Sequence, residues 1–287
     1  MILFEDRAAT VLFNILTQIP QKRFLLPLNI CPIVPDTFIK AKKEFEFIDI
    51  SMQTLCMQED IALKRLQEDS SIDGILFVKT FGIVFNIEPF YKKVKQLNKN
   101  IFIIDDMCPC KQNFQHNIEE SFADVALFSS GYSKYVDIGY GGYAFIKNTP
   151  FNFIFKDKTN EVDFLEYKQK VLSLIPKMDE HKILLNSIYS HGIDKKYHLG
   201  SNFNSWRFSI LVENKEEILK EIFKNDNLFA SSHYPQVDFN YKKQTIENSN
   251  TKKVHNKIIN LFNDFRFTTE QTHKTIKIIN NILQKRG

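Results

Sequence analysis

Cysteine is scarce in this sequence of 287 residues. Its cysteines, Cys31, Cys56, Cys108 and Cys110, are too few and too unevenly spaced to form the disulfide framework of a chain this long, so we expect reduced thiols. Two of them form Cys108-Pro-Cys110, but no second Cys or His pair at ligand spacing accompanies this motif. The sequence therefore predicts no metal site.

Long apolar runs are also lacking, since no stretch approaches the ~20 apolar residues that a membrane-spanning helix needs. The opening residues, MILFEDRAATVLFNIL, are acidic where a secretion signal would be basic. The net charge is only +4, and the Lys and Arg residues are interspersed with Asp and Glu, which is not typical of nucleic-acid-binding proteins. We expect a cytoplasmic protein that binds neither a membrane nor a nucleic acid.

Short apolar runs alternate with longer amphipathic stretches between Arg23 and Ile146. This alternation predicts a mostly parallel sheet flanked by helices, which is an α/β domain. The predicted strands are Phe24–Leu28, Phe45–Ile50, Gly74–Val78, Ile101–Asp105, Asp124–Phe128 and Tyr143–Ile146. The predicted helices are Arg7–Ile19, Pro32–Lys42, Asp60–Gln67 and Glu88–Leu97.

The pattern changes after Pro150. It predicts a helix at Val162–Ser187, a strand at Trp206–Val212, and helices at Lys215–Phe223, Lys252–Phe262 and Thr268–Leu283. The last helix is expected to be capped by Thr268 or Thr269 with Gln271 in a capping box. The length favours two domains, a large α/β domain over residues 1–160 and a small C-terminal α/β domain over residues 161–287.

Lys134 stands in an unusual place, because it follows a predicted strand that ends in Ser129-Ser130 and precedes a glycine cluster. A lysine buried at the carboxyl end of such a strand is costly as an ammonium. Burial lowers its pKa and frees the amine to form an imine. The alternative is an ordinary lysine in a surface loop, and Lys134 alone does not decide between the two.

Asp105 and Asp106 end the preceding predicted strand. Parallel strands bring their carboxyl ends to one edge of the sheet, so an acid and Lys134 can meet across one ligand. Pyridoxal 5'-phosphate (PLP) needs such a pair, because the lysine holds its aldehyde carbon and a carboxylate keeps its pyridine nitrogen protonated. Two acids after a strand are otherwise typical of a metal site, a nucleotide site or a turn.

The segments IIDDMCPC and ADVALFSSGYSKYVDIGYGGY together resemble the motif pair of the DegT/StrS-type sugar aminotransferases, which are PLP-dependent enzymes of fold type I. RFLLPLNICPIVPDTF, GILFVKTFG and FASSHYPQVDFNY resemble further parts of that family in the same order, so the resemblance covers nearly the whole chain. It implies the PLP-dependent transferase fold type I, with a large mostly parallel sheet domain and a small C-terminal α/β domain.

The resemblance also implies roles for individual residues. Lys134 would hold the cofactor as a Schiff base, Asp106 would contact the ring nitrogen, and Ser129 would hydrogen-bond the phosphate. The family's phosphate-binding helix corresponds to a helix that begins near Arg7 and Ala8, which are therefore the expected phosphate ligands.

This sequence departs from the family pattern at three positions around the expected cofactor site. As the N-cap of that helix, Asp6 would compete with the phosphate for the backbone N–H groups. The alternative is that Asp6 is an ordinary helix cap and that no phosphate binds there. Cys31 replaces the aromatic residue that stacks on the cofactor in many members, which predicts a thinner apolar contact. Pro109 stands where Gln or His often serves the ring hydroxyl.

The resemblance further implies an aminotransferase that moves an amino group from a donor such as glutamate to a keto group, typically of a nucleotide-linked sugar in surface polysaccharide biosynthesis. His233 would face the substrate, although a structural role is the alternative. Arg207 would pair with a substrate carboxylate or phosphate, or else form a salt bridge. We expect a homodimer, because fold type I enzymes complete each active site with a neighbouring subunit.

Two rival functions stay open from the sequence. One is a binding or regulatory protein that has kept the fold, with a phosphate loop too altered to retain PLP. The other is a PLP-dependent dehydratase, but related enzymes reach that activity by replacing the lysine, and Lys134 is present.

Overall fold

The computed structural model describes residues 1–147, 163–242 and 246–284, and within them a seven-stranded sheet forms the centre of the molecule. Its strands are β1 (Ile2–Glu5), β2 (Arg23–Pro27), β3 (Glu44–Ile48), β4 (Gly74–Val78), β5 (Phe102–Asp106), β6 (Val125–Ser129) and β7 (Gly142–Ile146). They lie side by side in the order β1-β7-β6-β5-β4-β2-β3. β2 to β6 are parallel, whereas β7 is antiparallel to both β1 and β6.

Helices cover both faces of this sheet. They are α1 (Ala8–Gln18), α2 (Ile33–Lys40), α3 (Glu59–Glu68), α4 (Glu88–Leu97) and α5 (Phe164–Gly192). The side chains of successive strand residues point to opposite faces. Accordingly Phe24 and Leu26 pack into one core with α1 and α2, while Leu25 packs into the other core with α3, α4 and the first half of α5.

The C-terminal part forms a second, smaller unit. Its three-stranded antiparallel sheet has the order β8-β10-β9, with β8 (Phe208–Leu211), β9 (Ala230–Ser231) and β10 (Ile258–Leu261). The remaining helices of the described chain are α6 (Lys215–Phe223), α7 (Asp238–Lys242), α8 (Asn250–His255) and α9 (Thr269–Gln284). The long helix α5 joins the two units, because Tyr167 and Val171 pack in the core of the large sheet while Leu185 and Tyr189 pack in the small one.

The α/β fold with a large, mostly parallel sheet is confirmed. The predicted strands and helices before residue 147 all occur within a few residues of their expected bounds, and Glu88–Leu97 and Lys215–Phe223 have the bounds expected. The capping box is present, since Thr268 N–H donates to Gln271 Oε1 at 2.8 Å and Gln271 N–H donates to Thr268 Oγ1 at 3.2 Å. The boundary predicted between residues 160 and 161 lies outside the described residues, so the division into domains stays a prediction.

The single helix predicted at Lys252–Phe262 is wrong. The structure has the short helix α8 followed by strand β10, whose four residues are all buried. A short apolar run that is buried on every side has no periodicity that separates a helix from a strand. The sequence reading also missed β1, which has four residues and pairs with β7 from the far end of the domain.

Candidate active site

A cavity of about 430 Å³ opens at the carboxyl ends of β4, β5 and β6, on the face of the sheet covered by α1 and α2. Ligands of open α/β sheets bind at this edge, and the volume is within the range typical of small-molecule sites. Its wall is supplied by the start of α1, the loop after β2, helix α2, the strand ends, the loops after β5 and β6, and the segment after β9. Lys134 and Asp106 both line it.

Strand alternation separates the two neighbouring acids. Asp106 is on the cavity side of β5, opposite Val78 of β4 in the parallel register. Asp105 points to the other face, where its carboxylate forms an ion pair with Lys79 Nζ at 3.0 Å. Only the second acid can therefore meet a ligand in the cavity.

The Asp106 carboxyl is held in a site that suits a cationic partner. It is buried, with 4% of the residue exposed, and burial raises its pKa. The backbone N–H of Cys108 donates to its Oδ1 at 2.9 Å and Lys134 lies nearby, and both act to lower that pKa. A protonated ring nitrogen beside this carboxyl would favour its charged form in the same way.

Lys134 lies in the turn after β6, with its side chain near Asp106, Cys108 and Tyr234. Burial lowers its pKa, but Cys108, Tyr234 and Asp106 together outweigh burial and raise the pKa to about 12. This direction is opposite to the lowered pKa expected from the sequence. The amine must be in its deprotonated form before it can attack an aldehyde.

The start of α1 offers a cradle for an anion at one end of the cavity. The N-cap is Arg7, in extended backbone conformation and without a side-chain capping bond, and the first turn contains no acidic residue. The first helical hydrogen bonds run from Thr10 and Val11 N–H to Arg7 O, so the amides of Ala8 and Ala9 precede them. Free amides and the positive end of the helix dipole favour a phosphate.

Asp6 does not cap this helix. Its side chain is exposed, and its backbone oxygen accepts a hydrogen bond from Gly141 N–H at 2.6 Å. Ser129 and the Arg7 guanidinium complete the cradle, since a Cβ placed on Gly131 would lie 3.5 Å from Ser129 Oγ and 3.6 Å from Arg7 Nη1. The structure thus brings together the three phosphate ligands that the sequence predicted, Arg7, Ala8 and Ser129.

The double glycine positions this cradle. A Cβ on Gly142, the first residue of β7, would lie 2.2 Å from the backbone nitrogen of Ala8. Gly141 has a φ of +91°, which side-chain-bearing residues rarely adopt. The two glycines therefore let the start of α1 pack directly on the sheet edge.

Cys31 and Tyr234 form part of the remaining cavity wall. Cys31 is partly exposed and follows β2, as the sequence predicted. The Tyr234 ring stacks on Trp206, with centroids 6.1 Å apart and an interplanar angle of 16°. Tyr234 therefore places an aromatic wall on the cavity, supplied by the C-terminal unit.

His233 is next to this wall and outside the cavity lining. Its ring packs on Trp206, with centroids 5.6 Å apart, and burial and the nearby Arg207 lower its pKa to about 4. The Arg207 guanidinium stacks between Trp206 and Phe262, and its hydrogen bonds go to the hydroxyls of Ser231 and Ser133. The substrate role of His233 stays a prediction.

The described part of the chain contains no group of three or more His, Cys, Asp or Glu side chains arranged to hold a metal ion. In the same residues, no helix combines the length and apolarity that crossing a bilayer requires.

Solved aminotransferase structures match the chain over nearly its whole length. PseC of Helicobacter pylori, an aminotransferase involved in the biosynthesis of pseudoaminic acid, matches 99% of this chain and 87% of its own at 14% identity, with a TM-score of 0.77. NtdA of Bacillus subtilis, solved with bound cofactor PMP, matches 99% of this chain and 73% of its own at 16% identity, with a TM-score of 0.75. A DegT/DnrJ/EryC1/StrS aminotransferase of Brucella abortus matches 98% of this chain and 85% of its own at 14% identity, with a TM-score of 0.72.

The chain has the PLP-dependent aminotransferase fold. At the level of sequence, no family model and no curated protein matches it. The aminotransferase fold is thus retained in a sequence that shares about one residue in seven with these structures.

The residues of the cavity fit PLP. A buried carboxyl, Asp106, and the amine of Lys134 line the same space, and the α1 cradle offers amides and a guanidinium to a phosphate. Asp106 would hold the ring nitrogen, Lys134 the aldehyde carbon, and Arg7, Ala8 and Ser129 the phosphate.

Proposed function

We propose that this protein is a PLP-dependent aminotransferase. The observation that carries the proposal is the convergence of Lys134, Asp106 and the uncapped start of α1 on one cavity of the aminotransferase fold. When bound, PLP supplies an aldehyde that exchanges amino groups and a ring that withdraws electrons from the reacting carbon.

The protein's own groups would divide the work. The carboxylate of Asp106 would keep a proton on the ring nitrogen, and the buried site around it strengthens that interaction. Lys134 Nζ would take the proton from the α-carbon of the donor and deliver it to the carbon that was the aldehyde carbon of the cofactor. Arg7, Ala8 and Ser129 would anchor the phosphate, while Tyr234 and Cys31 exclude water from the ring.

The amino acceptor we propose is the keto group of a nucleotide-linked sugar, with glutamate as the donor. A solved structure of the same fold, CalS13 of Micromonospora echinospora, is a sugar aminotransferase, which supports a sugar acceptor. His233 is the proposed substrate residue of the C-terminal unit. We also propose a homodimer, as the resemblance implies, and, from composition and length, a cytoplasmic protein of two domains.

The alternative function, a binding protein that cannot retain PLP, depended on the altered phosphate loop. In the structure, Arg7 takes the N-cap position and leaves the cradle open, so the departure from the family pattern does not block a phosphate. The rival of a dehydratase is disfavoured because Lys134 is present in the cavity.

Incubation with PLP followed by borohydride reduction and peptide mass mapping tests the proposal. We expect a visible imine band, with the reduced pyridoxyl group on the peptide that contains Lys134. Glutamate should then bleach the band, and a keto-sugar nucleotide should restore it. The variant Lys134→Met is the control and should give no band.

Label found only on exposed lysines such as Lys64 or Lys274 would refute the proposed site. Labelling of Lys134 with no spectral response to any amino donor would refute the aminotransferase and leave a PLP-binding protein. Restoration of the band by small keto acids alone would replace the sugar with a smaller acceptor.

A further inference from the structure

The loop that carries Lys134 has an unfavourable backbone at the residue before the lysine. Ser133 has a φ of +60°, in the left-handed region that residues with a side chain seldom occupy. Such a conformation persists where surrounding contacts impose it. The direction in which the Lys134 side chain leaves the backbone depends on this residue, so whatever holds Ser133 also aims the lysine.

Every polar group of Ser133 has a partner. Its N–H donates to Asp137 Oδ2 at 2.7 Å, within the same loop. Its carbonyl accepts from Trp206 Nε1 at 2.5 Å, and its hydroxyl accepts from Arg207 Nη2 at 3.3 Å. Two of the three partners thus come from the segment just before β8, more than 70 residues away in sequence.

Trp206 is itself firmly held. It is 5% exposed, and the Arg207 guanidinium lies 4.3 Å from its ring centroid. Its ring also stacks on Tyr234, which lines the cavity beside Lys134. A buried ring fixed in this way can impose a conformation on the carbonyl it contacts, because a shift of the loop would leave the indole N–H without a partner.

We propose that Trp206, supported by Arg207, is a positioning residue for Lys134: its indole N–H holds the Ser133 carbonyl and keeps the lysine loop in the conformation that aims Nζ into the cavity. This inference rests on the proposed function for the role of Lys134. It adds that the segment just before β8 orients the lysine.

Two measurements on Trp206→Phe test the proposal, because this variant keeps an aromatic ring and removes the N–H donor. The first is hydrogen exchange of the peptide around residues 131–136 in the PLP-free protein. The second is the rate at which borohydride traps PLP on Lys134. Loss of one hydrogen bond that fixes the loop should change each by about tenfold, with faster exchange and slower trapping.

Ser133→Gly provides the rescue that a merely structural role would not show. Glycine adopts positive φ without strain, so the loop no longer needs to be held there. The double variant Ser133→Gly/Trp206→Phe should therefore trap PLP faster than Trp206→Phe alone. Tyr189→Phe is the matched control, since it removes a donor to a backbone carbonyl, Phe262 O at 3.0 Å, inside the C-terminal unit. It should leave both readouts unchanged.

Unchanged exchange and trapping in Trp206→Phe would overturn the inference. So would equal losses in Tyr189→Phe, or a double variant as slow as the single one, because either result would reflect general loosening of the C-terminal unit. If the wild-type protein trapped no PLP at Lys134, the proposed function would fail. The exchange measurement would then decide by itself whether Trp206 holds the loop.

Discussion

Two adjacent aspartates show how much a single position along a strand decides. Asp105 and Asp106 are the same residue type on the same strand, and both are buried. Because successive side chains of a strand point to opposite faces, Asp105 pairs with Lys79 and Asp106 lines the cavity. The motif resemblance selected Asp106, and the structure supplies the physical reason, which is the face of the sheet to which β5 directs it.

Asp106→Asn should lower the rate of amino transfer by roughly 10²- to 10⁴-fold, because an amide cannot keep a proton on the ring nitrogen. The variant should still fold, and PLP should still be trapped on Lys134. The half-reaction with glutamate, followed by the loss of the imine band, is the measurement.

Asp105→Asn is the neighbouring control for that change. It leaves the buried ammonium of Lys79 without its anion, which should cost about 3–5 kcal/mol of unfolding free energy in a denaturant titration. If Asp105→Asn abolished transfer at unchanged stability, or Asp106→Asn left transfer intact, the assignment of the two acids would be reversed.

At the scale of elements, the start of α1 is the part of the site that sequence reasoning left most open. The helix itself was predicted at Arg7–Ile19 from its apolar periodicity, which is a strong signal in a long amphipathic segment. Whether Asp6 capped it depended on one backbone conformation that no periodicity encodes. In the structure, the hydrogen bond from Gly141 N–H to Asp6 O draws the chain across the sheet edge and leaves Arg7 as the N-cap.

Gly142→Ala should weaken PLP binding by roughly tenfold or more, because its Cβ would lie 2.2 Å from Ala8 N and must push the cradle amides away from the phosphate. An absorbance titration with PLP measures the change. An unchanged affinity for PLP in Gly142→Ala would contradict the packing described for Gly142.

An element can be predicted from the sequence when its pattern of apolar residues is local. Apolar alternation located the strands of the large sheet because each is a local run. It could not separate α8 from β10, where Ile258–Leu261 are buried on all sides, nor find β1, which owes its existence to pairing with β7. The contact between Trp206 and Ser133 could not be predicted for the same reason, since one side chain joins residues more than 70 positions apart in sequence.

At the scale of the whole molecule, α5 ties the two units together, and Lys182 marks their junction. Its Nζ donates to Trp206 O and Asn263 Oδ1, both at 2.8 Å, and lies 4.9 Å from the ring centroid of Tyr135. Burial lowers its pKa to about 7, with Arg207 and Arg266 acting in the same direction and Asp264 and Asp179 opposing them. The junction therefore contains a lysine that loses its charge near neutral pH.

This lysine should make the stability of the protein depend on pH. Between about pH 7 and its ordinary pKa of 10.5, the unfolded chain binds a proton at Lys182 that the folded chain does not. Stability should therefore rise with pH in this window, by up to about 1.4 kcal/mol per unit from this group. Urea titrations of the wild type and Lys182→Met at pH 7 and pH 9 measure it. A difference between the two proteins that stays constant with pH would refute the expectation.

The place of β1 at the edge of the sheet has a consequence for how the molecule assembles. β1 pairs with β7, so the start of the chain cannot join the sheet until residues 142–146 have been made and have docked on β6. Asp106 and Ser129 lie on the parallel strands β5 and β6, which are close together in sequence and can pair early. The cradle at the start of α1 follows β1 directly and depends on the docking of β1. Closure of a loop of this length is slow compared with local contacts. During folding, the end of the cavity that suits a phosphate is therefore completed last, after the end that holds the acid is in place.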